Sequence, residues 1–582
     1  MYTIEQNVQL VISLLKAYGI HRVIVSPGTA NVSFVGSIQS DDFFTLYSCI
    51  DERSAAYMAC GMSAETGEPV VISCTGATAS RNYMPGLTEA YYRKLPVLAI
   101  TSHEGFDLIG KLEPQQIDRR ESPADIAVKK VVIPFINDER DREYCVDEIN
   151  KALIALSRNG GGPVVMNVFT HGNNDFSAKS LPTCRRINYY DRVSDLPELP
   201  QGEIAIFIGA HRDFSEEETK SIENFCLSHN AVVLHDHTSG YHGKYSVMQA
   251  LVLGQDVISE DFASVDLLLH IGEISGDYKG MMISPKSVWR ISEDGEVKNL
   301  FGTLEAVFNV KEIEFFEHYN TKGVQDESLY NSYKAEYNRL LSKVPELPYG
   351  NIWVAQHLSK KLPAESTLHL GILNSLRSWN FFELPQGVKS SCNVGGFGID
   401  GILSTLIGAS LANPEKMYYC VVGDLAFFYD LGALGNRHIG KNLRIILINN
   451  GCGTEFKNYS HMSHVLGTEN IAPYIAAEGH FRGLHESVVA SYVQALGFEY
   501  KEARTKDEFL GAMDDMLQMI GKSCVLEVFV NSQDESDALF QILHLNEHTQ
   551  SQEHKSLKQR IRSALGSEVV ETVRKLKRKF EE

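Results

Sequence analysis

Along nearly the whole chain, short β-branched runs alternate with longer stretches of helical periodicity. The runs are almost continuously apolar rather than alternating with polar residues, which is the pattern of strands buried on both faces of parallel, helix-covered sheets. They fall into three sets: 70–74, 96–102 and 163–170; then 203–209, 231–235, 265–271 and 287–291; then 367–372, 418–423, 443–449 and 525–531. The stretch 185–202, rich in Pro, Asp and Tyr, and the polar stretch 321–350 separate the sets and read as linkers. A chain of 582 residues exceeds what one hydrophobic core supports. The expected fold is therefore α/β, with three doubly wound parallel-sheet domains at 1–184, 185–345 and 346–545 and a separate tail at 546–582.

A net charge of -20 opposes non-specific binding to nucleic acid, and no recognition motif outweighs it. A small-molecule enzyme fits better. The ten cysteines are scattered without CxxC pairs, which argues against a disulfide framework or a zinc ribbon. The first residues include Glu5 and Lys16 and do not read as a signal peptide, and no apolar run is long enough to span a membrane. The expected location is the cytoplasm.

The tail is distinct. Leu557, Ile561, Leu565, Val569, Val573, Leu576 and Phe580 recur at helical spacing among lysines and arginines, giving a basic amphipathic helix or pair of helices. Packing onto its own or a neighbouring subunit is one reading; peripheral contact with an anionic membrane surface is the other.

The most informative segments are Val421-Val-Gly-Asp-Leu-Ala-Phe and Asn449-Asn-Gly-Cys-Gly-Thr-Glu-Phe. Each follows a buried-strand run, so Asp424 and Asn450 fall at the carboxyl ends of strands, where open α/β sheets place ligands. The Asp424 carboxylate, the Asn450 amide oxygen and a backbone carbonyl at Cys452 make a hard oxygen set suited to Mg²⁺ carrying a diphosphate. Gly423 and the helix after it offer backbone N–H groups to the phosphates. Taken alone, the same residues also serve ordinary tight turns.

These segments resemble the GDG…NN diphosphate motif of the thiamine-diphosphate (ThDP) decarboxylase and carboligase superfamily, with Leu425 in place of the third glycine. Within it the chain is most similar to the menaquinone-pathway (SEPHCHC) synthase family, which joins a decarboxylated 2-oxoglutarate unit to isochorismate. The likeness includes Asp51-Glu-Arg-Ser-Ala-Ala, Cys74-Thr-Gly-Ala-Thr-Ala, Asn82-Tyr-Met-Pro, Gln115-Gln-Ile-Asp, Asn374-Ser-Leu and Gly398-Ile-Asp-Gly-Ile-Leu-Ser-Thr, and it ends at about residue 546. It implies ThDP and Mg²⁺ as cofactors, with Asp424, Asn450 and Cys452 at the metal. It further implies that Glu52, Thr75, Asn82, Ser375, Ile399, Gly423, Leu425, Gly453 and Thr454 contribute to the cofactor site. Glu52 would hydrogen-bond the aminopyrimidine ring, Ile399 would wedge the cofactor into its bent form, and Gln115 would face the substrate. Read without the likeness, Ile399 is a core isoleucine, Ser375 a turn serine and Gln115 an exposed loop amide. The family also closes one subunit's pyrimidine domain and its partner's diphosphate domain over each cofactor, so a homodimer or homotetramer is expected. The middle domain resembles a spacer, and lacking G-x-G-x-x-G it is not expected to bind flavin.

Three positions depart from the family. Ala30, Trp379 and Val394 stand where the synthases hold carboxylate-rich substrates with arginines, leaving Arg377 or Arg81 to compensate. Glu455, His461 and His464 after the metal loop, with His103, are candidate acid–base groups; a mobile polar loop is the plainer reading of the first three. The expectation is an enzyme decarboxylating a pyruvate-like 2-oxo acid and passing the acyl unit to a proton or a carbonyl acceptor. The alternatives are the menaquinone-pathway synthase itself and a non-catalytic ThDP-fold binding or regulatory subunit.

Overall fold

The computed structural model describes residues 1–320, 325–482 and 487–546. The amphipathic tail expected at 546–582 therefore lies, beyond its first residue, outside the described residues. The chain forms two compact units, 1–191 with 294–309, and 192–293 with the residues from 310 onward.

In the first unit, β1 (Arg22–Val25), β2 (Thr45–Ser48), β3 (Val70–Cys74), β4 (Val97–His103), β5 (Lys129–Ile133) and β6 (Val164–Phe169) form a parallel sheet in the order β2-β1-β3-β4-β6-β5. Successive side chains of a strand point to opposite faces. Val71 and Leu98 accordingly enter a core with the helix Gln6–Ala17, whereas Val70, Ile72, Val97 and Ala99 enter another with the helices Glu52–Thr66 and Met84–Arg93. Both faces are covered, which is why these strands read as unbroken apolar runs. The short β7 (Asn188–Tyr190) follows.

In the second unit β8 (Ile204–Ile208), β9 (Ala231–His235), β10 (Ser246–Met248), β11 (Ser264–Ile271) and β12 (Ser284–Ile291) are parallel in the order β10-β9-β8-β11-β12. The chain then returns to the first unit, where β13 (Leu304–Phe308) pairs in parallel with β7.

The last sheet, also in the second unit, comprises β14 (Thr367–Leu370), β15 (Lys389–Cys392), β16 (Tyr418–Gly423), β17 (Leu443–Asn449), β18 (Glu499–Ala503) and β19 (Cys524–Phe529). Its order, β15-β14-β16-β17-β19-β18, repeats the topology of the first sheet. In both, the order reverses between the first and third strands, and a crevice opens at their carboxyl ends.

The stretch read as a linker at 321–350 contains instead the helix Ser328–Lys343, with Leu329, Tyr333, Tyr337 and Leu340 buried. Their spacing of four, four and three marks one helical face that the polar composition obscured.

Candidate cofactor site

In the last sheet the reversal point lies between β14 and β16, and the loops there carry Ser375 and Asp424. Asp424 is 4% exposed. Its Oδ1 accepts from the Leu425 N–H at 2.8 Å and its Oδ2 from the Gly451 N–H at 2.6 Å. Gly451 has φ +74, a left-handed conformation that favours glycine and lets the chain turn its amide back to the carboxylate. Burial raises the Asp424 carboxyl to about 7; the two amides lower it and Glu535 raises it further. Among the described residues two backbone amides bond this carboxylate and no cationic side chain pairs with it.

The adjacent asparagines have different duties. Asn449 closes β17, accepting from the Gly451 N–H at 3.2 Å and donating to Glu527 at 2.6 Å. Asn450 points into the loop: its Nδ2 donates to Glu535 Oε2 at 2.6 Å and its Oδ1 accepts from the Cys452 N–H at 3.1 Å. Glu535 sits on the helix Ser532–Leu543 and also accepts from the Asn351 N–H at 3.3 Å. Burial raises its carboxyl, and the bond from Asn450 opposes this. Donation from Nδ2 to Glu535 fixes which end of the Asn450 amide faces the loop. Glu535, 85 positions away, had no signal in the sequence that could have pointed to it.

A carboxylate with a free lone pair on each oxygen, an oriented amide oxygen and a backbone carbonyl at Cys452 suit a hard cation that keeps its remaining positions for water and phosphate. Among the described residues no group of three or more His, Cys, Asp and Glu could hold a metal, so a zinc-type cluster has no counterpart. A Cβ built on Gly423 would meet nothing within 4 Å, leaving room beside Asp424 for a phosphate. The helix beginning at Asp424 is short, ending at Tyr429, and the Leu425 N–H is already engaged by Asp424. Ser375 is buried and accepts from Asn351 at 3.2 Å; Thr454 is buried, and the Gly453 N–H donates to Ala476 O at 2.6 Å. Ile399 is partly buried at the rim of this domain's core, not within it.

The first unit holds the other group of expected residues. Glu52 opens the helix Glu52–Thr66 behind the Asp51 cap, half-buried, and accepts from Asn82 Nδ2 at 3.3 Å. Thr75 follows β3 at this sheet's reversal point, and its side chain would stand 2.7 Å from a Cβ on Gly28. Gln115 is exposed, with φ +65. His103 is buried beside Phe106 and Phe169, accepting the Gly105 N–H at 2.9 Å through Nδ1. Burial pulls its imidazole down to about 4, so the ring is neutral at physiological pH.

Of the groups after the metal loop, Glu455 and His461 line one cavity of about 360 Å³, whereas His464 does not. His461 Nδ1 lies 2.7 Å from Ser463 Oγ, and His464 packs edge-on against Tyr459. Glu455 forms an ion pair with Arg377. Trp379 and Val394, at the positions of the expected arginines, are buried, with 0% and 5% exposure.

Both sheets thus carry a reversal point, one beside a glutamate-led helix and the other beside a buried aspartate backed by an asparagine loop. Residues 6–122 match the thiamine pyrophosphate enzyme N-terminal TPP-binding domain. The chain is similar over most of its length to curated proteins named 2-succinyl-5-enolpyruvyl-6-hydroxy-3-cyclohexene-1-carboxylate synthase. That of Bacteroides fragilis is 29% identical over 573 residues, covering 94% of this chain and 99% of the relative. That of Bacteroides thetaiotaomicron is 28% identical over 578 residues with the same coverage, and that of Desulfotalea psychrophila 26% over 543 residues, covering 88% and 96%. No helix among the described residues is long and apolar enough to cross a membrane.

Proposed function

We propose that this chain is a ThDP- and Mg²⁺-dependent enzyme that decarboxylates a short 2-oxo acid and transfers the remaining acyl unit to a proton or a carbonyl acceptor. The buried Asp424 carries the proposal, because its carboxylate is desolvated, held by two amides and, among the described residues, paired with no cation. Mg²⁺ at Asp424, the Asn450 amide oxygen and the Cys452 carbonyl would supply that charge and hold the diphosphate. When bound, ThDP supplies the electron sink for loss of CO₂ beside a carbonyl.

The protein's part is control of protons and geometry. Glu52 would hydrogen-bond the pyrimidine ring and favour one tautomer, Ile399 would support the cofactor, and Glu535 orients Asn450. Ser375, Gly423, Leu425, Gly453 and Thr454 line the diphosphate side; Thr75 and Asn82 line the pyrimidine side. Large apolar side chains are exposed near Glu52 in the sequence: Ile50, two residues before it, is 83% exposed, and Tyr57 and Met58 on its helix are 48% and 39% exposed. Such exposure favours burial against a second copy of the chain, whose Asp424 loop completes the site. The three-domain division into pyrimidine-binding, middle and diphosphate-binding parts belongs to the same proposal, as does a cytoplasmic location.

The synthase reaction named for the relatives is the second reading, favoured by similarity over 94% of the chain. Against it stand Ala30, Trp379 and Val394, which offer no guanidinium to a polycarboxylate pair. A panel of 2-oxo acids supplied with ThDP and Mg²⁺ separates the readings. Release of CO₂ from pyruvate supports the first; product from isochorismate plus 2-oxoglutarate at enzymatic rates supports the second; silence across both supports a non-catalytic binding protein.

A further inference from the structure

The cavity of about 360 Å³ in the second unit adjoins the metal loop, since Thr454 and Glu535 stand in its wall. Arg377 lies in the same wall on the helix Asn374–Trp379, with 18% of its side chain exposed. Its Nη1 is tied to Glu455. Asn374 holds that glutamate in turn, with its amide oriented to donate to Glu455 Oε2 at 2.7 Å and to accept from the Glu455 N–H at 3.1 Å. The Tyr278 ring covers the guanidinium face at 4.6 Å and stacks on Phe397 at 5.8 Å. The arginine is thus clamped from one end and one face.

Its remaining edge is unsatisfied. Nε and Nη2 are buried and have no hydrogen-bond partner among the described residues. These two donors point the same way in one plane, at the spacing of the two oxygens of a carboxylate. Asp277, also in the cavity wall, has a buried Oδ2 without a partner. Two unpartnered cationic donors and an unpartnered acceptor thus belong to residues that line one small space beside the metal loop. A buried donor left unpaired is unfavourable, so the wall is incomplete without something that accepts from Arg377.

We propose that the Nε–Nη2 edge of Arg377 is the anchor for the carboxylate of the 2-oxo acid, and that it selects short monocarboxylates over dicarboxylates. The inference rests on the reading of this chain as a ThDP enzyme and adds the residue that chooses its substrate. Glu455 and Asn374 act as positioning residues that hold the fork in register. The other cation in the wall, Lys279, is a point charge without a fork. Asp277 and Glu455 further disfavour a second carboxylate, while Asp277 can accept from a hydroxyl.

The test uses the full chain without cofactor, titrated calorimetrically with oxamate, an unreactive analogue of pyruvate, and with pyruvamide, its uncharged counterpart. Oxamate should bind and pyruvamide should not. Arg377→Met and Arg377→Lys should each weaken oxamate about tenfold or more, the lysine because it keeps charge but loses the fork. ThDP binding in the presence of Mg²⁺ should be unchanged in both variants. Wild-type oxamate affinity in Arg377→Lys, or equal binding of pyruvamide and oxamate, would overturn the proposal. If the wild-type chain binds no ThDP, the ThDP reading fails independently of the oxamate result. Should Arg377→Met not fold, Arg377→Lys decides alone. In turnover, Arg377→Lys should raise KM for pyruvate more than it lowers kcat, and should narrow the preference for pyruvate over 2-oxoglutarate; an unchanged preference contradicts the selectivity.

Discussion

The two halves of the expected cofactor site are built to different degrees of completeness. Around Asp424 the second unit is dense: Gly451 and Leu425 hold the carboxylate, Glu535 holds Asn450, and Glu527 holds Asn449. Around Glu52 the first unit is sparse, with one side-chain bond among the described residues, from Asn82, and exposed Ile50 and Tyr57 close by in sequence. Both crevices occupy the same place in the same sheet topology. A fixed carboxylate network suits a permanent ion and diphosphate, whereas a half-buried glutamate on an apolar surface suits a group that acquires its environment on assembly.

The largest expected effect breaks the comparison at its sparse end. Glu52→Gln should lower turnover by roughly 10²–10⁴-fold, the range for a positioned proton-transfer group, while calorimetric ThDP affinity changes little. At the dense end Asp424→Ala should weaken Mg²⁺-dependent ThDP binding by about a hundredfold or more, judged against the 10- to 100-fold loss on removing even an outer partner. Similar effects of both substitutions on binding would erase the contrast.

In the first unit Gly28 packs closely against the Thr75 side chain, and a smaller change addresses that. A methyl on Gly28 would stand 2.7 Å from Thr75 Cβ. Gly28→Ala should therefore destabilise the protein by about 1–3 kcal/mol, read as a lower midpoint of denaturant unfolding. An unchanged midpoint would mean that the crevice is slack.

A further effect concerns pH. Burial lifts the folded carboxyl of Asp424 to about 7, above its ordinary value of about 4 in an unfolded chain. The folded state binds this proton more tightly, so the stability of the cofactor-free chain should fall as pH rises from about 4 to about 7 and level off above. Asp424→Asn should flatten that slope in thermal melts, and saturating Mg²⁺ with ThDP should reduce it. A slope identical in Asp424→Asn would assign it to other groups.

Much of the sheet architecture was legible because strands buried on both faces are spelled as apolar runs; β3, β9, β16 and β17 coincide with theirs. The strands that escaped are short, polar or at sheet edges, such as β15, Lys-Ser-Ser-Cys, and β18, Glu-Tyr-Lys-Glu-Ala, where one side needs no apolar cover. The placement of Asp424 and Asn450 was legible for a related reason: they directly follow the strongly apolar strands β16 and β17. Glu535 and the free edge of Arg377 were not, because each owes its meaning to residues 78 or more positions away, Asn450 for the one and Glu455 for the other. Spacing along the chain carries no trace of such pairs.

The central claim is that Glu52 of one subunit serves the Asp424 loop of another. Co-expressing Glu52→Gln and Asp424→Ala chains with different tags, and isolating the mixed dimer through both, tests it most directly. Each mixed dimer contains one site with both residues intact and one with neither. Decarboxylation at about half the wild-type rate is the predicted result, although each variant alone is nearly inactive; a mixed dimer no more active than its parents would contradict the account.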